Sequence, residues 1–486
     1  MATRRLATRP RIEPLEERSL LNAGGLDTGF GGTGIVVTKV NSFSGGAKGV
    51  AVQPDLKTVV VGTSSDGSSP SNPNNTGVTD VTVVRYNQDG SLDTTFGASG
   101  IVNIPCFPNP GGLNVQCIQI QQDGKIVIGA ENYTSYGTKK TQVWRNDLIV
   151  ERLNPNGSID TTFNGNGRAT FDLPTKSLFA AGLAIQPDGK IVIGAGSGTI
   201  ASGAGFVAVR FNSNGTLDTS FGPGGKGYVA ASSGSAVCLA LGASGDVVMG
   251  GHDVNPATGA MAPALVRFTP SGQPDGSFGT QGETFLSLGG GIPGVAAVAF
   301  QSAGRTLASV NWNGSGTGYS ARLIRLNADG SVDGSFGTNG YFSDGAMAWP
   351  SGLAVQSDGK IIMAGTPSVA AHAEPATFVV DRILSDGQAL DSSFGDGGRS
   401  QAVIPGSNST SAQSPTVIGP DGKITVVGSY VPPLPANQSS RLFEVVRLLG
   451  DAPASQTART SAASSPTAAS ARSTSMEGVA PSLPSS

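Results

Sequence analysis

One nine-residue phrase occurs seven times in the chain, as LDTGFGGTG from Leu26, LDTTFGASG from Leu92, IDTTFNGNG from Ile159, LDTSFGPGG from Leu217, PDGSFGTQG from Pro274, VDGSFGTNG from Val332 and LDSSFGDGG from Leu390. Its aspartates, Asp27, Asp93, Asp160, Asp218, Asp275, Asp333 and Asp391, are separated by 66, 67, 58, 57, 58 and 58 residues. So regular a period marks an array of one supersecondary unit, in which each copy buries its apolar face against its neighbours.

Two further phrases recur once per unit. One is a turn between short runs, as in VQPDLK, IQQDGK, IQPDGK, VQSDGK and IGPDGK. The other ends in an arginine and a second turn, as in VVRYNQDGS and LIRLNADGS, with Arg85, Arg152, Arg210, Arg267, Arg325, Arg382 and finally Arg447. The runs between them, such as KIVIGA and TVVRYN, are β-branched and bounded by Gly, Pro, Asn and Asp, which reads as strand. Asp-Gly between such runs favours a tight hairpin because both residues accept positive φ. From Phe221 onward one unit reads as strands near 227–231, 236–241, 246–250 and 264–268. Four short antiparallel strands repeated seven times predict an all-β fold, a seven-bladed β-propeller.

The last unit reaches EVVRLLGD and lacks the phrase that opens the array at Leu26. A ring closed by the N- and C-terminal segments accounts for both facts, with Asp27 beside Arg447. Arginine and aspartate are eight residues apart in five units and nine apart between Arg382 and Asp391. Across a two-residue hairpin that spacing places them opposite each other, so a repeated Arg to Asp pair is expected.

The joint recurrence of QPDGK, VRFN and the NG or DG phrase leading to LD and FG resembles the delta-60 repeat, a bacterial repeat family regarded as propeller-forming. The resemblance covers roughly residues 26–449 and implies the fold, not an activity. Locally, Pro274 replaces an aliphatic residue and one residue is inserted before Asp391.

Three regions follow: a leader at 1–23, a propeller at 24–450 and a tail at 451–486. The tail is Ser, Ala, Thr and Pro without an aromatic residue, a composition that does not fold alone. RPRIEPLEERSLLNA resembles a short N-terminal motif of planctomycete proteins, which implies export to the cell surface or beyond. A disordered basic leader is the alternative, because no apolar segment of a secretory signal is present. Net charge is −3 with 13% charged residues, so no basic field for nucleic acid is expected. The sequence holds no apolar run long enough for a membrane span. Cys106, Cys117 and Cys238 make no metal pattern, and a Cys106–Cys117 bridge and free thiols both stand.

In an up-and-down blade the repeated phrases emerge on one face and the variable loops on the other. Varied loops on a rigid scaffold are where binding resides. The candidate binding residues on that face are Tyr133, Tyr136, Trp144, His252, Trp312, Trp349 and His372, and neither a cofactor nor a metal site is expected. The seven aspartates with Arg85 and Arg447 are assigned a structural role, since sevenfold use serves the repeat. The expected function is a non-catalytic scaffold for a protein or glycan partner. The alternative is a hydrolase or lyase acting on a polysaccharide or lactone at the central mouth.

Overall fold

A computed structural model describes residues 23–451 except 41–43, 66–78, 106–111, 137–142, 174–176, 198–204, 232–233, 289–293, 315–317, 344, 368–376, 404–409, 412–414 and 432–441. The leader before residue 23, the tail after residue 451, Cys106 and His372 lie outside the described residues. Seven antiparallel sheets follow one another along the chain. Blade 1 is built from Ser44–Val52, Thr58–Ser65, Thr79–Tyr86 and Ile101–Ile104, hydrogen-bonded in that order. Blades 2 to 6 repeat this plan, ending in the outer strands Arg168–Phe171, Tyr228–Ala231, Glu283–Phe285, Tyr341–Phe342 and Arg399–Val403.

Blade 7 is assembled from both ends of the chain. Thr410–Ser411 and Thr416–Ile418 both pair with Ile424–Tyr430, which pairs with Leu442–Leu448; the outer strand is Ile35–Thr38. Cross-strand bonds from Gly24 N to Leu449 O at 2.7 Å and from Asp27 N to Arg447 O at 2.9 Å continue the ladder. The ring is thus closed as the missing phrase predicted.

The strand reading needs one correction. The repeat reading puts the run near 227–231 in one blade with 236–268, but Tyr228–Ala231 is the outer strand of the preceding sheet, paired with Phe206–Phe211. One sequence repeat therefore spans two sheets. The Asp-Phe phrase carries the chain around the third strand's edge, and its backbone contacts serve the outer strand of the same blade.

The core lies between blades, not within them. Seven apolar clusters each join side chains of two adjacent sheets, from blades 1 and 2 round to blades 7 and 1. The seven phenylalanines Phe30, Phe96, Phe163, Phe221, Phe278, Phe336 and Phe394 are all 0% exposed. Six of the seven seams also carry one backbone bond from the phrase to the neighbouring turn, for example Gly97 N to Asn156 O at 2.9 Å and Gly31 N to Asp89 O at 2.7 Å; in the seventh Gly395 N donates to Ala23 O. Gly90 turns this corner at φ +83°, where a Cβ would sit 2.7 Å from Gly31 N. Glycine is required there both for its conformation and for the close approach.

The inner strands of blades 1 to 6 each skip a register position, between Ala47 and Gly49, Val115 and Cys117, Ala180 and Gly182, Ala236 and Cys238, Val295 and Ala297, and Pro350 and Gly352, and blade 6 has a second shift between Met347 and Trp349. A bulge bends its strand and redirects a side chain, here around the central channel. No helix among the described residues is long and apolar enough to cross a membrane.

Candidate functional site

The turn face is a repeated ionic lattice. Each repeat arginine reaches its aspartate through Nε, at 2.7 Å for Arg85 to Asp93, Arg152 to Asp160, Arg210 to Asp218, Arg267 to Asp275 and Arg447 to Asp27, and at 2.8 Å for Arg325 to Asp333. Arg382 lies 2.9 Å from Asp391, but the two atoms are misaligned for a hydrogen bond, as the inserted residue would require. Every guanidinium covers its own phrase phenylalanine at 4.2 to 4.8 Å. A third partner comes from the QPDGK turn: Lys57, Lys125, Lys190, Lys360 and Lys423 lie within 3.2 Å of the same carboxylates.

These contacts hold the aspartates ionised. Burial pushes the Asp160 carboxyl upward, but bonds from Thr162, Lys125 and Arg152 outweigh it and bring the pKa to about 2. Burial is likewise outweighed at Asp391, at about 2, by Ser393, Lys360 and Arg382. The remaining guanidinium hydrogens donate across the seams, as from Arg267 to Ala328 O at 2.6 Å and Arg325 to Ser385 O at 2.8 Å. The lattice is occupied by its own members and presents backbone turns to solvent.

The opposite mouth differs between blades. A cavity of about 780 Å³ is walled mainly by the inner strands, with Lys48, Gln116, Gly294 and Trp349, and by Asn311 from the second strand of blade 5. A second opening of about 1040 Å³ lies toward the QPDGK turns and shares Ile120, Leu183, Leu239 and Val298 with the first. At the loop-side rim Trp349, from the inner strand of blade 6, packs on Tyr319 from blade 5, with ring centroids 4.3 Å apart and planes tilted by 35°. Both remain open to solvent, 44% and 45% exposed.

The other candidates are distributed around the ring. Trp312 is half-buried beneath the Arg322 guanidinium, 3.7 Å from its ring; Arg322 also covers Tyr341 at 4.7 Å and donates to Leu288 O. His252 is half-buried, and burial lowers its pKa against the pull of Asp253, so the imidazole is neutral at neutral pH. Its Nδ1 stands 3.7 Å from the position of a Cβ on Gly294. Tyr133 is exposed on blade 2, where Tyr136 and Trp144 sit on paired strands, opposite Val143 and Ser135. Trp349 and Gly294 line the same cavity, and His252 neighbours it through Gly294.

Two residues at this mouth were not singled out from the sequence: Tyr319 and Asn311. Asn311 N donates to Gly294 O at 3.4 Å, yet its side-chain amide has no hydrogen bond among the described residues and its Oδ1 is buried unpaired. Cys117 carries a free thiol, as does Cys238, and burial pushes both up to about 12. Neither is a nucleophile at neutral pH. Among the described residues no group of three or more His, Cys, Asp or Glu side chains is placed to hold a metal.

Residues 53–96, 121–163, 186–221 and 309–336, in blades 1, 2, 3 and 5, match the model of a family described as "Domain of unknown function (DUF5122) beta-propeller". No curated protein matches the sequence. Solved structures of similar shape include a protein of unknown function from Dyadobacter fermentans, 10% identical, covering 86% of this chain and 99% of that one with a TM-score of 0.43. An α-L-arabinofuranosidase of Fusarium graminearum is 9% identical over 84% of this chain and 98% of its own, at 0.41. The β-propeller domain of the trilobed protease from Pyrococcus furiosus is 11% identical over 83% and 94%, at 0.39. These are likenesses of architecture, and no chemistry is carried over from them.

Proposed function

We propose that this propeller, with a repeat of delta-60 type, is a binding module that holds a protein or glycan partner at its loop-side mouth, at the cell surface or outside the cell. The observation that carries the reading is the exposed Tyr319–Trp349 pair beside the central cavity. Two stacked rings at nearly half exposure form a contact surface of low conformational cost, the kind enriched at recognition sites. The opposite face supports the same reading, because its charges are engaged in holding the blades together.

The test is binding of the full chain to a glycan array and to a protein array, repeated with Trp349→Ala. Loss of the bound signal in the variant, with an unchanged circular dichroism spectrum, is the expected result. An identical profile for both proteins would remove this mouth from consideration. A carbohydrate-cleaving or lactone-opening enzyme would use the same cavity; release of new reducing ends, or acid liberated from a lactone, in the same incubations identifies that alternative. Location is tested by immunodetection of the protein in surface and medium fractions of the source cells.

A further inference from the structure

We propose that the loop-side mouth where blades 4, 5 and 6 meet is a subsite for a neutral sugar ring, with Trp349 and Tyr319 as the stacking surface and Asn311 and His252 as the hydrogen-bonding groups. The inference rests on the binding-module reading and names its ligand class. A pyranose or furanose ring presents C–H bonds on one face and hydroxyls around its edge, so its receptor combines a flat apolar surface with groups that both donate and accept. The Trp349 ring supplies the first, since Tyr319 backs it at 4.3 Å while it remains 44% exposed.

The second requirement is met on either side of Gly294. Asn311 lines the cavity with Trp349; its Oδ1 is closed off and unpaired, and its Nδ2 makes no hydrogen bond among the described residues. A polar group without a partner in a protein wall is unfavourable. A sugar hydroxyl that accepts from Nδ2 would give the carboxamide a partner. The His252 imidazole, 3.7 Å from the Cβ position of Gly294, also makes no hydrogen bond among the described residues. Neutral imidazole and carboxamide each donate and accept, which matches a hydroxyl. The Arg322 guanidinium is engaged by Trp312, Tyr341 and Leu288 O, and the cation in the cavity wall, Lys48, belongs to blade 1 and not to blades 4, 5 or 6. The cavity, at about 780 Å³, has room for more than one sugar ring.

Tryptophan fluorescence and calorimetric titration of the full chain with cellohexaose, xylohexaose, mannohexaose, maltohexaose and arabinohexaose test this, with polygalacturonate as the acidic probe. Saturable binding of a neutral oligosaccharide is expected, weakened at least about tenfold by Trp349→Ala and by Asn311→Ala, a loss of roughly 1.4 kcal/mol or more. Val37→Ala, on the outer strand of blade 7, should leave it unchanged. If Trp349→Ala fails to fold, Trp349→Phe, which keeps a flat ring, should retain measurable binding while Asn311→Ala still weakens it. Sugar binding unaffected by both mouth variants would overturn the subsite, as would binding of polygalacturonate alone. Capture of a protein through Trp349 with no sugar bound would overturn the ligand class and leave the binding module standing. An absence of binding to any glycan or protein would overturn both.

Discussion

Glu444 is chemically out of place. It lies in Leu442–Leu448 of blade 7, 0% exposed, and neither carboxyl oxygen has a hydrogen-bond partner among the described residues. It shares a strand face with Val446, which packs among Phe378 and Val380 of blade 6. Burial alone pushes its pKa from 4.5 to about 8. A raised carboxyl pKa means that the unfolded chain releases the proton above about 4.5 while the folded protein keeps it until about 8. Stability therefore falls as pH rises through that window, on the order of 1.4 kcal/mol per pH unit, and levels off above it. Glu444→Gln should flatten the dependence, as read from urea unfolding midpoints between pH 5 and pH 9; an unchanged slope would show that Glu444 is not its source. Residues of this kind are silent in the sequence for a definite reason. The position three before the repeat arginine holds Thr82, Ile149, Val207, Ala264, Arg322, Val379 and Glu444, so repetition says nothing about what it does. Asn311 and Tyr319 escaped notice for the same reason, whereas Arg85 and Asp93 recur at fixed spacing and their meeting could be inferred.

At the level of the element, natural differences between copies show what each part contributes. In blade 4 the turn reads LGASGD, so Asp246 stands where Lys190 stands in blade 3, and Asp275 has Arg267 as its one cation among the described residues. Asp246→Lys should add the missing partner and raise stability by about 0.2–1 kcal/mol, as expected of a partly exposed pair. Thermal unfolding checks the sign, and Lys190→Asp should move it the other way. The blade 6 seam is a second exception. Elsewhere two consecutive carbonyls of one turn accept the seam bonds, as Pro155 and Asn156 do from Arg85 and Gly97. Blade 7 has no such turn, because the chain ends meet there; Ala23 O accepts from Gly395 at 2.7 Å, and the Asp451 carboxylate accepts both bonds of Arg382 Nη1 at 2.9 and 2.8 Å. Asp451→Ala should cost about 1–3 kcal/mol, since Arg382 is 0% exposed and would lose its charged acceptor. A denaturant midpoint equal to that of the native chain would rule the contact out as a lock. Strand existence was legible from β-branched runs and Asp-Gly turns, but sheet membership was not. Tyr228–Ala231 follows the phrase in sequence and could pair forward or backward, and its alternation fits either sheet.

For the whole molecule the decisive property is closure. Each sheet buries its faces only against its two neighbours, so an open arc would expose two apolar faces and one unpaired strand edge. Closure here depends on the strand Ile35–Thr38 and on the phrase preceding it, which places Phe30, 0% exposed, beneath Arg447 and Asp27 beside it. Deleting residues up to Thr38 removes the outer strand of blade 7, the aspartate of its ionic triad and part of the apolar cluster between blades 7 and 1. Leu442–Leu448 would then be an uncovered, mostly apolar edge, and Arg447 a buried cation without its carboxylate. Such a charge loss alone costs about 3–5 kcal/mol, a large share of the stability of an ordinary domain. The truncated protein is expected to self-associate in size-exclusion chromatography and to lose its cooperative melt. A synthetic peptide of residues 23–38 should restore both in a concentration-dependent way, because the closing contacts are hydrogen bonds and packing rather than a covalent link. A monomeric truncation that melts as sharply as the full chain would mean that six blades and a seventh without its outer strand close by themselves, and that the terminal strand is an ornament of the ring instead of its fastening.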